Sequence, residues 1–216
     1  MAKGTKVKTK VSKLKYVFIT GEGSNQAMKG EEPRMQYVAS LVCPKDGEVH
    51  KHFEEQVMAE WENYKSQFGV KGLPKTTGIK DEMMKDPEGV IDPATEEVRR
   101  IPTGNVIISF KTNTKWPDGN PQVVKVYDRK GTDITAAIQA ADWSIGEGSE
   151  GIIHGTSMGN NVGGTHKVTL YLTAVQLAKL VKYEGNEVET EEIEGEDLDL
   201  GDAVTAIPSE GETPDL

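Results

Sequence analysis

Apolar and polar residues alternate along several short stretches of this chain, as they do in half-buried β-strands. In "KLKYVFIT", Leu14, Tyr16 and Phe18 alternate with the residues between them, and "RMQYVASLVCP" is a second run rich in β-branched and aromatic residues. Similar runs follow in "NVIISFKTNTKW", "QVVKVYDRKG", "GIIHGTSMG" and "HKVTLYLTAVQLAKLV". The pattern predicts about six short strands, whose edges a small, partly open barrel would hide.

One longer stretch has the period of an α-helix instead. Its apolar residues recur at steps of four, four, four, three and four and form one stripe: Val49, Phe53, Val57, Trp61, Tyr64 and Phe68. Asp46 precedes the stripe and suits an N-cap, and Gly69 follows it. The spacing therefore predicts one amphipathic helix, which would cover part of the barrel.

Two segments lack both periods. "GEGSNQAMKGEEP" lies between the first two strands and is typical of a loop. Residues 70–103 are rich in Gly, Pro, Lys and acids, and we expect a long irregular insertion there, with Arg99 and Arg100 at its exit. The later stretch "TDITAAIQAAD" is predicted to form a turn or a short helix.

Charge is divided unevenly along the chain. The sequence has 35 Asp and Glu against 25 Lys and Arg, but residues 184–216 contain 13 of those acids and no Lys, Arg or His. The residues before them hold the other 22 acids and all 25 basic residues, so their net charge is +3 although that of the whole chain is −10. A run of like charge with few large apolar residues cannot bury enough surface to fold. Residues 184–216 are therefore predicted to be a disordered acidic tail.

The opposite end of the chain is basic. Six lysines precede the first acid, Glu22: Lys3, Lys6, Lys8, Lys10, Lys13 and Lys15. We expect residues 1–12 to form a flexible basic arm and residues 13–183 to form one domain. No stretch of about 18 apolar residues occurs, so no membrane span is predicted. The single Cys43 lies in an apolar run, which suits a buried residue in a reducing cytoplasm.

Motifs for catalysis or metal binding are weak. "GEGSEG" at residues 146–151 has the spacing of a dinucleotide-binding loop, but a strand is predicted after it, and Glu147 and Glu150 would repel a phosphate. The four histidines are scattered without metal-binding spacing: His50, His52, His154 and His166. A Ser-His-Asp triad assembles in space, so that alternative stays open.

Aromatic and basic residues are interleaved on the predicted strands. Tyr16 lies beside lysines, and "FKTNTKWPDGNPQVVKVYDRK" is predicted to form a hairpin whose turn, "WPDGNP", leaves Trp116 exposed. Single-stranded nucleic acid is bound by this combination, because cations follow the phosphates and flat side chains stack on bases. Aromatic residues at alternating strand positions are more often core, which is the interpretation for Phe18, Phe110 and Trp61.

The order of these pieces resembles the single-stranded DNA-binding proteins of tailed bacteriophages. The pieces are "KLKYVFIT", "YVASLVCPKD", the amphipathic helix, "IISFKTNTK", "VYDRKG", "IGEGSEGIIHG", "VTLYLTAVQLAKLV" and the acidic terminus. The resemblance covers roughly residues 12–183. It implies a mainly β protein with an oligonucleotide/oligosaccharide-binding (OB) barrel of five to six strands. It also implies a role in phage DNA replication, recombination and repair in the host bacterial cytoplasm, without catalysis, metal or cofactor.

The charge division and the interleaved aromatic residues predict a groove across this barrel that binds single-stranded DNA of any sequence. The cations expected at this groove are Lys13, Lys15, Arg99, Arg100, Lys111, Lys115, Lys125 and Arg129, and the expected stacking residues are Tyr16, Tyr37, Trp116 and Tyr127. The acidic tail would compete for the groove when DNA is absent. Once displaced by DNA, the tail would recruit a polymerase, helicase or nuclease.

Two observations leave alternatives open. Related tails often end in acids followed by an aromatic residue, whereas this chain ends in "GETPDL", so a partner contact is predicted at Leu198, Leu200 or Leu216. The strand pattern also suits a phage structural protein whose sheet self-assembles and whose tail keeps it in solution. An enzyme acting on nucleotides or sugars is a further alternative, since barrels host many functions.

Overall fold

The computed structural model describes residues 4–27 and 30–183. These residues form a mainly β structure with two helices. In chain order the elements are β1 (Thr5–Lys8), β2 (Ser12–Phe18), β3 (Ser24–Asn25), β4 (Met35–Pro44), α1 (Glu48–Phe68), β5 (Ile79–Lys85), β6 (Arg100–Asn113), β7 (Lys125–Tyr127), α2 (Thr135–Gln139), β8 (Ser144–Ile145), β9 (Glu150–Val162), β10 (Thr165–Lys179) and β11 (Lys182–Tyr183).

Five of these strands close into a barrel. Their order around it is β2-β4-β6-β10-β9, and β9 returns to pair with β2, where Ser12 lies opposite Gly151. Neighbouring barrel strands are antiparallel except β6 and β10, which run parallel where Lys111 lies opposite Tyr171. The predicted OB fold is confirmed, although the barrel is closed rather than partly open.

The core fills this barrel and the space beneath α1. In β6, Val106, Ile108 and Phe110 point inward and are buried, while the residues between them are partly exposed. The ring of Phe110 packs edge-on against Phe53 of α1, with 5.4 Å between ring centroids. An ideal Cβ on Gly155 of β9 would lie 2.5 Å from the Phe110 ring, so only glycine fits at this crossing.

The predicted amphipathic helix is confirmed, with a change at its start. The N-cap of α1 is Gly47 rather than Asp46, which has a left-handed φ of 62°. The end at Gly69 is confirmed, and its φ of 65° is the left-handed conformation that glycine favours after a helix. Trp61 is fully buried, and its indole N–H donates to a carbonyl in the loop after the helix at 3.0 Å. Trp61 and Phe110 are therefore core residues, as predicted.

Residues 5–8 form a strand, which corrects the expectation of a flexible arm for this part of residues 1–12. β1 pairs antiparallel with β9 over four residue pairs, and Val7 is buried in the core. The side-chain amide of Gln56 on α1 donates to the Lys8 carbonyl at 3.1 Å and accepts from the Lys8 N–H at 3.3 Å. Burial of Val7 and the two hydrogen bonds of Gln56 therefore hold this segment in place, although its lysines had predicted a flexible arm.

The segment 70–103, predicted to be irregular, contains β5 and the start of β6. These strands pair as a hairpin, with Ile79 opposite Ile108 and Lys85 opposite Arg100. In the connection between them, the guanidinium of Arg99 contacts the carboxylate of Asp86 at 2.6 Å. The strands were missed because their polar residues interrupt the apolar alternation.

The buried carboxylate of Glu82 joins this hairpin to the barrel. It accepts hydrogen bonds from Lys15 Nζ at 2.8 Å, Thr103 Oγ1 at 2.8 Å and Asn105 Nδ2 at 3.0 Å. The bond from Lys15, followed by those from Asn105 and Thr103, lowers the pKa of Glu82 from 4.5 to about 2. At neutral pH the ionised carboxylate therefore joins β5 to β2 by the ion pair with Lys15 and to β6 by its hydrogen bonds.

Residues 110–130, predicted to form one hairpin, instead form a short hairpin tip and then a separate strand. Only the tip is a hairpin, where Lys115 bridges Pro121. β7 does not continue it but pairs parallel with β10, with Val126 opposite Val175. Because β9 occupies the other edge of β10, β6 and β7 lie one after the other along the same edge. The basic and aromatic residues of the two halves are consequently separated.

Other expectations concern the chain as a whole. Residues 184–216, the predicted acidic tail, lie outside the described residues. Within the described ranges, neither helix combines the length and the apolar character needed to cross a bilayer. Cys43 is buried as predicted, and burial raises the pKa of its thiol.

We predict that Glu82→Gln lowers the free energy of unfolding at pH 7 by about 1 to 3 kcal/mol, because Lys15 loses its charged partner. The pKa of Glu82 is depressed in the folded state, so its stabilising contribution is present above about pH 4.5 and is lost as the pH falls toward about 2. Urea denaturation of both proteins at pH 7 and at about pH 3 measures this change. Glu54→Gln, an exposed change on α1, serves as the control; an equal loss there, or a difference independent of pH, would contradict the prediction.

Candidate nucleic-acid interface

A β-bulge in β2 turns two aromatic side chains outward. The register with β4 shifts between Lys15 and Phe18, and Tyr16 adopts a left-handed φ of 54°. Val17 is buried after the shift, whereas Tyr16 is 53% and Phe18 46% exposed. Phe18 is therefore not a core residue, because the bulge changes the face on which each later residue of β2 lies. The ring of Tyr16, predicted as a stacking residue, is thus exposed to solvent.

A row of residues on the outer side of the barrel crosses four of its strands, although one of them, Val38 of β4, is only 5% exposed. Phe18 of β2 lies opposite Val38 of β4, Val38 opposite Lys111 of β6, and Lys111 opposite Tyr171 of β10. Lys111 and Tyr171 are both partly exposed. The barrel thus places a cation and an aromatic ring side by side on its surface.

Two adjoining cavities of about 540 and 310 Å³ lie along this face and share Lys111 and Thr169. The larger is formed by β6, β9, β10 and the tip that follows β6, and the smaller by β5, β6 and β10. We call their combined surface the basic groove. Its cations and aromatic rings are Arg34, Lys80, Lys111, Lys115, Lys167, Trp116 and Tyr171.

The basic groove has positive charge without local neutralisation. Among the described residues that line it there is no Asp or Glu. None of its five cations forms an ion pair with an acid in the described part of the chain. An anion entering the groove would therefore meet cations that have no competing carboxylate among the residues the structure describes.

Lys111 lies at the centre of this charge. Its Nζ donates to the neutral side-chain oxygen of Gln26, in the loop before β4, at 2.5 Å. Burial lowers the pKa of Lys111, and repulsion from Lys80 and Arg34 lowers it further. The environment thus disfavours the charged form of Lys111, and a bound anion would relieve the repulsion.

Trp116 stands at the edge of the groove, on the tip after β6. Its N–H donates to the Asn120 carbonyl at 2.8 Å, and its own carbonyl accepts from the Gly119 N–H at 2.9 Å. These bonds form a tight turn and leave the side chain 53% exposed. The predicted exposure of Trp116 is confirmed, and its ring is available for stacking.

Tyr37 is not available for stacking, which corrects its prediction as a stacking residue. It is 7% exposed and points into the barrel from β4, together with Ala39 and Leu41. Its hydroxyl donates to the carbonyl of Gly21 at 3.2 Å. Side chains alternate between the two faces of β4. Tyr37, Ala39 and Leu41 share the inward face, and the residues between them face outward.

Several predicted cations lie outside the basic groove. Three have acidic partners: Lys15 with Glu82 at 2.8 Å, Arg99 with Asp86 at 2.6 Å, and Lys125 with Asp133 at 3.0 Å. Their charges are partly neutralised by these carboxylates, which makes them less suited to phosphate binding.

The remaining predicted residues are dispersed. Lys13 is exposed on β2 and Arg100 at the start of β6, opposite Lys85. Tyr127 is half-buried on β7, and Arg129 lines a separate cavity of about 370 Å³. Of the predicted set, the structure brings only Lys111, Lys115 and Trp116 together in the basic groove.

Four groove residues were not predicted: Arg34, Lys80, Lys167 and Tyr171. A signal for two of them exists, since Lys167 and Tyr171 lie at alternate positions of "HKVTLYL" and therefore share the outer face of β10. Lys80 belongs to β5, in the segment that lacked periodicity. Arg34 lies at the end of a loop, where no pattern indicates an orientation.

Comparison with known proteins gives a result only at the level of three-dimensional structure. No protein-family model matches the chain, and no curated protein matches it. Solved structures do match. gp2.5, a single-stranded DNA-binding protein encoded by bacteriophage T7, is 17% identical, with a TM-score of 0.53 over 88% of this chain and 100% of that one. The single-stranded DNA-binding protein of bacteriophage Enc34, in complex with single-stranded DNA, is 19% identical, with a TM-score of 0.54 over 83% and 89%. The chain has the fold of phage single-stranded DNA-binding proteins.

This fold is an OB barrel, and the basic groove overlaps part of the face on which OB barrels commonly bind ligands. Oligonucleotides commonly bind on the face of the second and third barrel strands and at the loops beside it. Here those strands are β4 and β6. β6 lines both cavities of the groove, β4 contributes Gln36, and the loop between the first two barrel strands supplies Arg34 and the Lys111 partner Gln26. The groove therefore overlaps this face at β6 and extends from it to β5, β9 and β10.

We predict that Lys111→Met raises the free energy of unfolding at pH 7 by about 0.5 to 2 kcal/mol, because it removes a repelled and partly desolvated charge. The pKa of Lys111 is lowered in the folded state, so its penalty is present at neutral pH and disappears as the pH rises toward the ordinary value of 10.5. Urea denaturation at pH 7 and about pH 10 measures the difference. Lys115→Met, at an exposed position, should change stability by less than about 0.5 kcal/mol. A loss of stability in Lys111→Met would mean that the bond to Gln26 outweighs the repulsion.

Proposed function

We propose that this protein binds single-stranded DNA, without preference for sequence, in the basic groove. The observation that carries the proposal is the group of five cations without a carboxylate among the described lining residues, beside the exposed rings of Trp116 and Tyr171. The Enc34 protein, solved in complex with single-stranded DNA, has the same fold and supports it.

The groove suits binding through phosphates and base faces. Each cation that contacts a phosphate releases condensed counterions, which favours binding most at low salt. Trp116 and Tyr171 offer flat surfaces, and because every base has a π-face, stacking on them tolerates any sequence. Lys111 contributes twice, since a phosphate beside it would also offset its repulsion from Lys80 and Arg34.

The biological role that follows is protection and presentation of DNA. We propose that the protein acts in replication, recombination and repair of phage DNA in the bacterial cytoplasm. It would act by binding alone, without a catalytic step or a cofactor. Nucleotide enzymes share the barrel architecture, so the DNA-binding experiment below is the deciding test.

Replacing Lys80, Lys111 and Lys167 together by Met should weaken the salt dependence of DNA binding. Each phosphate contact to a single strand contributes a slope of about −0.7 to log affinity against log salt, so three lost contacts reduce the slope by about 2. Fluorescence anisotropy of labelled oligo-dT and of a mixed-sequence oligonucleotide, at several salt concentrations, measures this slope. The loss should be the same for both oligonucleotides.

Lys125→Met is the matched control, since it removes a lysine that is paired with Asp133 outside the groove. It should leave both affinity and slope unchanged. If wild-type protein binds neither oligonucleotide, or if the control loses as much slope per lysine as the groove variant, the proposed site is wrong.

We also propose that residues 184–216 regulate the groove. They carry 13 acids and no basic residue, so they can compete with DNA for the same cations. When DNA displaces them, they become available to a polymerase, helicase or nuclease, with Leu198, Leu200 or Leu216 as apolar contacts. The charge complementarity between this segment and the groove supports the proposal.

Truncation after Tyr183 should strengthen DNA binding at low salt, because it changes the net charge from −10 to +3. The gain should shrink as the Debye length falls from about 30 Å at 0.01 M salt to about 10 Å at 0.1 M. Oligo-dT titrations at these two salt concentrations measure it. A tail of equal length made of Gly, Ser and Thr should behave like the truncation, since it removes charge but keeps bulk. Unchanged or weaker binding by the truncated protein at low salt would contradict competition.

A further inference from the structure

We propose that bound DNA continues beyond the basic groove onto a second stacking surface, formed by Tyr16, Phe18 and Tyr183. This inference rests on the proposed function and adds to it a second binding site and a path for the bound DNA. The DNA would run across β10, β6, β4 and β2, so that bases stack first beside Lys111 and then beside the bulge in β2.

The first observation is the exposure of three large aromatic side chains at one place. Tyr16 is 53%, Phe18 46% and Tyr183 52% exposed, and all three line one cavity of about 260 Å³. Exposed apolar groups that cluster around a cavity are typical of a binding surface, whereas single exposed side chains are not. The cavity is large enough to receive a flat ring between these side chains.

The second observation is the backbone of Tyr16. Its φ of 54° lies in the left-handed region, which is unusual for a bulky residue that is not glycine. This conformation belongs to the bulge, and the bulge keeps Tyr16 and Phe18 on the surface while Val17 is buried. Strain of this kind concentrates at functional sites, where the gain lies in the orientation of the side chain.

The third observation is the position of this surface relative to the basic groove. Phe18, Val38, Lys111 and Tyr171 lie opposite one another on successive strands. Neighbouring strands are about 4.8 Å apart, so Phe18 and Tyr171 stand roughly 14 Å apart along this row. Val38 between them is only 5% exposed, so the DNA would pass over the residues that cover it. A few nucleotides can span that distance, with the DNA backbone passing the Lys111 ammonium.

Tyr183 is held in place by its own backbone. β11 pairs with β8, where Lys182 lies opposite Ile145 and Tyr183 opposite Ser144. The ammonium of Lys182 lies 4.8 Å from the centroid of the Trp143 ring, which fixes the strand from its other side. The third wall of the surface is thus positioned before any ligand arrives.

The charge of this surface differs from that of the groove. Lys15 lines the cavity but is paired with Glu82, and the carboxylate of Glu147 lines it as well. A phosphate gains little there, while a base face is unaffected. We therefore expect the second surface to contribute affinity through stacking, with little dependence on salt.

Oligo-dT of about 2 and about 16 nucleotides separates the two surfaces, because two nucleotides are too short to join them, whereas about 16 is the upper site size for one OB barrel. The short oligonucleotide occupies the basic groove, and the long one reaches both surfaces. Tyr16→Ala, Phe18→Ala and Tyr183→Ala should each weaken binding of the long oligonucleotide by about 5- to 150-fold, the equivalent of one lost base stack. Binding of the short oligonucleotide and the salt slope should not change.

Trp116→Ala is the matched control, because it removes an exposed ring of the groove itself and should weaken binding of both lengths. Tyr16→Phe keeps the ring and should bind like the wild type, which separates stacking from the backbone effect of an alanine at a left-handed position. Thermal unfolding confirms that each variant is folded. If the three alanine variants weaken both lengths equally, or neither, the second surface is wrong while the groove stands. If the wild type binds neither length, the proposed function itself fails.

Discussion

The pairing of β10 with three other strands holds the barrel together and builds its outer face. β9 occupies one edge of β10 from Thr165 to Lys179, while β6 and β7 share the other edge in parallel. Pairing of β10 with β6 closes the ring of five barrel strands, and it sets Lys167 and Tyr171 beside Lys111. The stability of the fold and the shape of the basic groove therefore depend on the same set of backbone hydrogen bonds.

Cations serve two purposes in this molecule, and their partners distinguish them. Those that bind carboxylates join parts of the fold: Lys15 with Glu82, Arg99 with Asp86, and Lys125 with Asp133. In the groove, Lys111 instead donates to the neutral oxygen of Gln26 and is repelled by Lys80 and Arg34. A carboxylate in place of Gln26 would relieve the repulsion, but it would also cancel the attraction for a phosphate. The groove is thus held in a state that favours an external anion, at the expense of some stability.

Periodicity and the order of the pieces were enough to predict the OB barrel and α1, because repeated apolar spacing reports directly on a buried face. Local exceptions were not predictable in this way. One inserted residue at Tyr16 changes the face of Phe18, and a single buried Val7 orders a segment that is otherwise polar and basic. The groove depends on residues far apart in the chain, such as Lys80 and Lys167, which meet only after β5 and β10 have found their places. Lys111, Lys115 and Trp116 were predictable because they follow one another on a single strand and turn.

The bond between Gln56 and the backbone of Lys8 has a consequence for crowding. β1 is an edge strand, and exposed edges are where separate molecules join into extended sheets and aggregate. Gln56 binds both the N–H and the carbonyl of Lys8, and the lysines of β1 add like charges along the same edge. A neighbouring molecule that approached this edge would find the backbone groups of Lys8 already bonded to Gln56 and would meet the positive charge of the β1 lysines. A single glutamine on α1 thus bears on whether copies of the protein stay separate at high concentration.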